Sequence, residues 1–166
     1  LQNIGEKTAL IIADENTFPI CAGYIAKNFA QAKKIILPNG VKPKLAICHK
    51  IAGENNAEIK HIIAIGSGVI NDIAKYSSFL LKIPYSIIAT ATSQNGYASA
   101  NASLIDGAGD RQSYPAKIAK NILLDASILR NAPKILIKSG YGDAICRYTA
   151  GCDYYLSSIK KFTAYN

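Results

Sequence analysis

The stretch His61–Tyr76, HIIAIGSGVINDIAKY, decides the fold. Ile62 to Ile65 form an apolar run that reads as a buried strand. Gly66-Ser67-Gly68 then makes a tight turn, and from Val69 onward the spacing becomes helical, with Ile70, Ile73 and Ala74 on one side. A strand that enters a helix through glycines leaves free backbone N–H groups at the positive end of that helix. Phosphate oxygens bind there, because the amides point outward and no Cβ blocks their approach. Asn71 stands where the third glycine of a G-x-G-x-x-G fingerprint would be. Glycine-rich turns of this kind also occur in α/β proteins that hold no ligand, so the turn alone does not decide between the two.

The rest of the chain repeats the strand-then-helix pattern. Lys7 to Ala13 reads as a first buried strand ending at Asp14, and Pro19 to Gln31 as a helix with Ile20, Tyr24, Ile25 and Phe29 on one face. Lys34 to Leu37 is a short second strand closed by the turn cluster Pro38-Asn39-Gly40. Lys44 to Ile51 reads as a helix and Gly53 to Asn56 as a loop. The helix after the glycine turn runs to about Leu81, and Tyr85 to Ala89 is the fourth strand. This alternation predicts an α/β fold, a Rossmann-like parallel sheet with helices on both faces. Ligands of such sheets gather beyond the carboxyl ends of the strands, where Asp14, Gly66 and Thr90 all fall.

After Thr90 the pattern changes. TATSQNGYASANAS is rich in small and hydroxyl residues, and IDGAGD, inside Leu104 to Gln112, reads as a hairpin tip. Asn121 to Leu124 looks like one more strand, and Leu129 to Pro133 like a connection. A helical segment of different character is expected over Tyr141 to Leu156, with a domain boundary between Asn131 and Gly140. Residues 1–135 then form a nucleotide-binding domain, and 136–166 open a second, helical domain whose remainder is missing.

Composition narrows the classes of function. The 166 residues suffice for one α/β domain with a real core. No apolar run approaches the ~20 residues that span a bilayer, and no leader pattern opens the chain, so a cytoplasmic protein without membrane insertion is expected. The formal charge of +8 favours anionic partners. The lysines are scattered, however, and no aromatic-rich RNA-binding strand or basic recognition helix accompanies them, so a small phosphorylated ligand is expected rather than nucleic acid. The four cysteines, Cys21, Cys48, Cys146 and Cys152, lack C-x-x-C spacing and read as buried free thiols. The absence of methionine and the helical look of the last residues point to an incomplete chain.

Several residues can carry chemistry. Asp14 at a strand end either accepts hydrogen bonds from an adenosine ribose, favouring NAD over NADP, or closes a turn before Thr17. Thr90, Thr92 and Ser93 offer hydroxyls to a pyrophosphate or carboxamide, or else bond local backbone. Asp143, in Gly142-Asp143, reads as a first-turn carboxylate that complements a helix dipole, with a metal or substrate contact as the alternative. His49 and His61, the only two histidines, share no metal-ligand spacing and read as structural or surface residues.

Taken in order, these segments resemble the iron-containing alcohol dehydrogenase and dehydroquinate synthase-like superfamily. GSGVINDIAK fits its G-G-G-S-x-x-D-x-A-K pattern through Gly66, Gly68, Asp72, Ala74 and Lys75, departing at Ser67 and Val69. PYSIIATATSQNGYASANASL, SYPAKIAKNILLDASILRNAPKILIKSGYGD and CRYTAGCDYYLS are most similar to the glycerol-1-phosphate dehydrogenase branch. The resemblance implies an active site between two domains and an NAD(P)H-dependent reduction of dihydroxyacetone phosphate to sn-glycerol 1-phosphate. It implies a divalent metal, usually zinc, that polarises the carbonyl. It assigns Gly66, Ser67 and Gly68 to the pyrophosphate, with Asp72 supporting that loop, Thr90 and Ser93 to the cofactor, and Asp143 to the metal. It makes a homo-oligomer plausible.

Two departures stand out. The S-x-D-G motif of the resembled family becomes Ser93-Gln94-Asn95-Gly96, so Asn95, the candidate catalytic residue, keeps the shape of the acid without its charge. The histidines expected to complete the metal site are absent from this sequence, and Asp143 alone cannot assemble a three-ligand zinc site. Three alternatives stay open: a polyol dehydrogenase, a dehydroquinate synthase-like cyclase, and a nucleotide-binding module without turnover.

Overall fold

The computed structural model describes residues 4–54 and 58–160. Its central strand is the apolar run that opens the glycine turn. In chain order the elements are β1 (Ala9–Asp14), a 3-10 turn (Phe18–Cys21) leading into α1 (Ala22–Asn28), β2 (Lys33–Leu37), α2 (Leu45–Gly53), β3 (His61–Gly66) and α3 (Gly68–Leu81). Then follow β4 (Tyr85–Ala89), β5 (Asn101–Ile105), β6 (Arg111–Pro115), β7 (Asn121–Leu124), α4 (Ala126–Arg130) and α5 (Lys134–Ile159). Five strands form one sheet in the order β2-β1-β3-β4-β7, and every pairing in it is parallel. β5 and β6 form a separate antiparallel hairpin.

Successive side chains of a strand face opposite sides, so the continuous apolar runs feed two cores at once. Leu10, Ile12, Ile62, Ala64, Tyr85 and Ile87 pack with Cys48 and Ile51 of α2, Ile70, Ile73 and Ala74 of α3, and Ala102 and Leu104 of the hairpin. Ile11, Ala13, Ile63, Ile65 and Ile88 pack on the other face with Cys21, Ile25 and Phe29. Each large aliphatic side chain buried this way contributes roughly 1.5–3 kcal/mol. The hairpin tip forms where IDGAGD predicts it. Asp106 Oδ1 accepts from the amides of Ala108 at 2.9 Å and Asp110 at 3.0 Å, and Gly109 takes the left-handed φ of +94° that the turn requires.

Four local expectations are corrected. The helix expected over 19–31 is split: a 3-10 turn precedes α1, and Phe29 lies just past its end. Ile20, in the 3-10 turn, and Tyr24, in α1, are exposed, and of the four only Ile25 and Phe29 are buried. The connection expected at 129–133 is preceded and partly occupied by α4, which runs to Arg130 and whose N-cap Asp125 accepts from the amides of Ser127 and Ile128. The last helix starts at Lys134, directly after Pro133, and not at Tyr141. Finally, Cys21 and Cys48 are buried but Cys146 and Cys152 are exposed on α5; all four are free thiols. Asn55 and Asn56 of the expected loop lie outside the described residues.

Candidate functional site

β1 has β2 on one side and β3 on the other. The chain therefore leaves β1 in one direction and returns beyond it in the other, which opens a crevice past the carboxyl ends of β1 and β3. A cavity of about 720 Å3 lies there. Asp14, Ser67 and Thr90 line it together, with Thr17, Ser127 and Asn131.

The glycine turn reaches the cavity through Ser67. Asn71 N donates to Ser67 O at 2.9 Å, and no side chain caps α3. The amides of its first turn thus have no partner within the helix and face the crevice end of β3. The two glycines serve different ends. A Cβ on Gly66 would come 2.5 Å from Ile70 Cβ, so Gly66 is what lets α3 pack onto β3. A Cβ on Gly68 would meet only the Gln94 side chain, at 3.4 Å. The packing of the core therefore does not require a glycine at 68.

Asp14 makes the turn anticipated as one of its two roles. Its Oδ1 accepts from Asn16 N at 3.0 Å and Thr17 N at 2.8 Å. Thr17 then donates from Oγ1 to Ile65 O at 2.7 Å, tying the ends of β1 and β3 together across the crevice. Thr90 is buried, its amide donating to Gly66 O at 3.1 Å. Thr17, Ser127 and Asn131 escaped the sequence reading. For Ser127 and Asn131 a signal existed in Asp125 as a helix N-cap, which would have set α4 over the crevice.

A second cluster lies where α5 meets the loop after β4. Asn95 N donates to Asp143 Oδ2 at 3.0 Å. Gly140 touches the Thr92 carbonyl so closely that an added Cβ would collide with it, and would stand 3.5 Å from Ser93 Cα. Asp143 is thus well inside α5, not in its first turn, which removes the dipole reading. Asn95, Ser93 and Asp143 come together here but do not line the cavity. Among the described residues no group of three or more His, Cys, Asp or Glu side chains converges. One carboxylate does not hold a catalytic metal of the three-ligand type, so these residues by themselves do not fit one.

Asp72 sits apart from the cavity, on the side of α3 that faces the hairpin. Burial pushes its carboxyl up to about 6, against the opposing pull of the Lys75 ammonium, the Ser103 amide, Arg111 and Asn71. Lys75 Nζ lies 4.0 Å from Asp72 Oδ1. Of the histidines, His49 is exposed and edges onto Tyr76. His61 is buried, with Nε2 2.8 Å from Ser86 Oγ. Among the described residues no helix is long and apolar enough to cross a membrane.

Comparison with known proteins supplies a family. A family model described as iron-containing alcohol dehydrogenase matches residues 1–133. The glycerol-1-phosphate dehydrogenase, NAD(P)+, of Metallosphaera sedula is 32% identical over 153 residues, covering 90% of this chain and 42% of that protein. The enzyme of the same name from Methanothrix thermoacetophila is 39% identical over 105 residues, covering 63% and 29%. That from Geobacillus thermodenitrificans is 33% identical over 101 residues, covering 61% and 25%. Among solved structures, glycerol dehydrogenase from Schizosaccharomyces pombe superposes with a TM-score of 0.72 at 24% identity, over 89% of this chain and 39% of that one. A 2-deoxy-scyllo-inosose synthase complexed with carbaglucose-6-phosphate, NAD+ and Co2+ gives 0.66 at 17%, over 84% and 42%. The structural likenesses bear on the fold. The chain spans between 25% and 42% of the length of these curated relatives.

Proposed function

This chain belongs to the iron-containing alcohol dehydrogenase family, and from that premise we propose that its crevice binds NAD(P)H for the interconversion of dihydroxyacetone phosphate and sn-glycerol 1-phosphate. The observation that carries the proposal is the meeting of the uncapped α3 terminus, Ser67, Thr90 and Asp14 around one cavity at the switch point of the sheet. Relatives named glycerol-1-phosphate dehydrogenase, at 32% and 39% identity, support the reaction. The charge of +8 suits a phosphorylated substrate.

In this reading the α3 amides and the Ser67 hydroxyl take the pyrophosphate, with Gly68 allowing its approach and Gly66 seating α3 against β3. Thr90 bonds the cofactor further along the crevice, and Ser93, on the side of Asn95 and Asp143, meets its nicotinamide end. Asp14 keeps one carboxylate oxygen in its own turn and offers the other to a ribose hydroxyl, disfavouring a 2′-phosphate. The bound nicotinamide supplies hydride to the substrate carbonyl. Asn95 and Asp143 hold the substrate end, where Asn95 donates and accepts as a neutral amide and cannot act as a general base. A divalent metal, zinc on the resemblance, belongs to the same proposal with Asp143 as one ligand, though the described residues alone do not complete its coordination. Residues 1–135 would be the nucleotide-binding domain and 136–166 the opening of the second. A cytoplasmic homo-oligomer completes the picture.

The deciding experiment follows NADH oxidation with dihydroxyacetone phosphate and, separately, with dihydroxyacetone, with and without added zinc. Turnover of the phosphate alone is expected. Preference for dihydroxyacetone would replace the reading with a polyol dehydrogenase. NADH binding without turnover of either would leave a nucleotide-binding module.

A further inference from the structure

Lys75 is fully buried on α3, an unusual place for an ammonium. Its Nζ donates to Gly96 O at 2.7 Å and to Asn101 O at 3.0 Å. Asn71, one turn earlier, donates from Nδ2 to the same Gly96 carbonyl at 3.4 Å, and Tyr85 donates from its hydroxyl to Asn71 Oδ1 at 3.2 Å. The polar residues of α3 therefore hold the far side of the Gln94–Asn101 loop, while the start of the same helix faces the crevice. The loop is tied on its other side as well. Gln94 Oε1 accepts from Gly96 N at 2.5 Å, and Asn95 N donates to the Asp143 carboxylate at 3.0 Å.

From this chain of contacts we infer that Lys75 is a positioning residue: it clamps Gly96 so that the neighbouring Asn95 amide holds the Asp143 carboxylate in place. A buried cation that satisfies two loop carbonyls is costly to desolvate, and a solvated loop would not need it. Its use here fixes one turn against a rigid helix, so that the loop, α3 and α5 move as one body. The consequence for chemistry rests on the dehydrogenase reading above, since it places Asn95 and Asp143 at the substrate end. Lys75 touches neither cavity nor ligand, and acts through the turn.

The test compares wild type, Lys75→Met, Lys75→Arg and Asp143→Asn. NADH affinity is read by fluorescence, turnover by NADH oxidation with dihydroxyacetone phosphate, and the Asn95 amide by its nitrogen–proton NMR resonance. In Lys75→Met, NADH affinity should stay within about twofold while kcat falls on the order of 100-fold, as expected for a misplaced reacting geometry. The Asn95 resonance should move in the direction seen in Asp143→Asn. Lys75→Arg should show the same split in smaller measure, because a planar guanidinium does not reproduce the two-carbonyl geometry; if the Met variant does not fold, the Arg variant is read alone. An unmoved Asn95 resonance, or NADH affinity and kcat falling in parallel, overturns the inference. If wild type shows no turnover but the Asn95 resonance moves as stated, the clamp stands and the dehydrogenase reading falls.

Discussion

Gly66 and Gly68 share one turn and answer to different constraints. Gly66 is held by packing, because a Cβ there would stand 2.5 Å from Ile70 Cβ. Gly66→Ala should therefore destabilise the fold by about 1–3 kcal/mol, the usual cost of overpacking, in urea denaturation. Gly68→Ala, with its nearest neighbour the Gln94 side chain at 3.4 Å, should leave the midpoint nearly unchanged. Equal losses in both would remove the distinction. His61 gives a second test. Burial holds its imidazole down at about 4, helped by the charge of Lys120, against an ordinary 6.5. Only the neutral ring is at home in the fold, so its contribution is full above pH 6.5 and is lost as pH falls toward 4. Urea midpoints at pH 7 and pH 5 should differ, and His61→Gln should shrink the difference. Both glycines were legible in the sequence, since a strand running into G-S-G has few other readings. Lys75 was not, because a lysine in a helical pattern ordinarily reads as solvated, and only the loop packed against it shows otherwise.

At the scale of elements, strands were the easy part. β4 and β7 occupy the ranges their apolar runs predict, and β3 extends one residue beyond its run at each end, from His61 to Gly66. Helices were read less well, for physical reasons that differ. α1 is short because the chain winds into a 3-10 turn at Phe18–Cys21 first. α4 was missed although Asp125 caps it, since a helix of five residues barely registers as a period. α5 runs unbroken through Gly140 and Gly142, which the sequence pattern takes as a beginning. A helical glycine costs only about 1 kcal/mol, and Gly140 is where α5 meets the Thr92 carbonyl. Gly140→Ala should therefore raise helix propensity yet loosen α5 from the loop. The Asn95 amide resonance would then lose the signature of its bond to Asp143. An alanine variant in which that resonance is unchanged would show that α5 does not depend on this contact.

For the whole molecule, the alternation of strands and helices made the doubly covered parallel sheet legible. It also located the crevice, because three independent segments, ending at Asp14, Gly66 and Thr90, had to share one sheet edge. What the pattern did not reveal is the division of that edge into two places. Asp14, Ser67 and Thr90 gather at the cavity, whereas Asn95 and Asp143 bond each other where the loop meets α5. Side-chain reach settles that division, and linear spacing does not carry it. Asp72 illustrates the same point, since it lies among Lys75, Ser103 and Arg111 on the hairpin side of α3.

The central claim is that the glycine turn is the floor of a dinucleotide site. An NADH fluorescence titration of wild type against Gly68→Val tests it most directly. Saturable binding in the wild type, weakened at least about tenfold in a variant that still folds, is the expected result, because the added methyl groups occupy the approach to the α3 amides. Equal affinity in the two proteins, or no binding by the wild type, would contradict it.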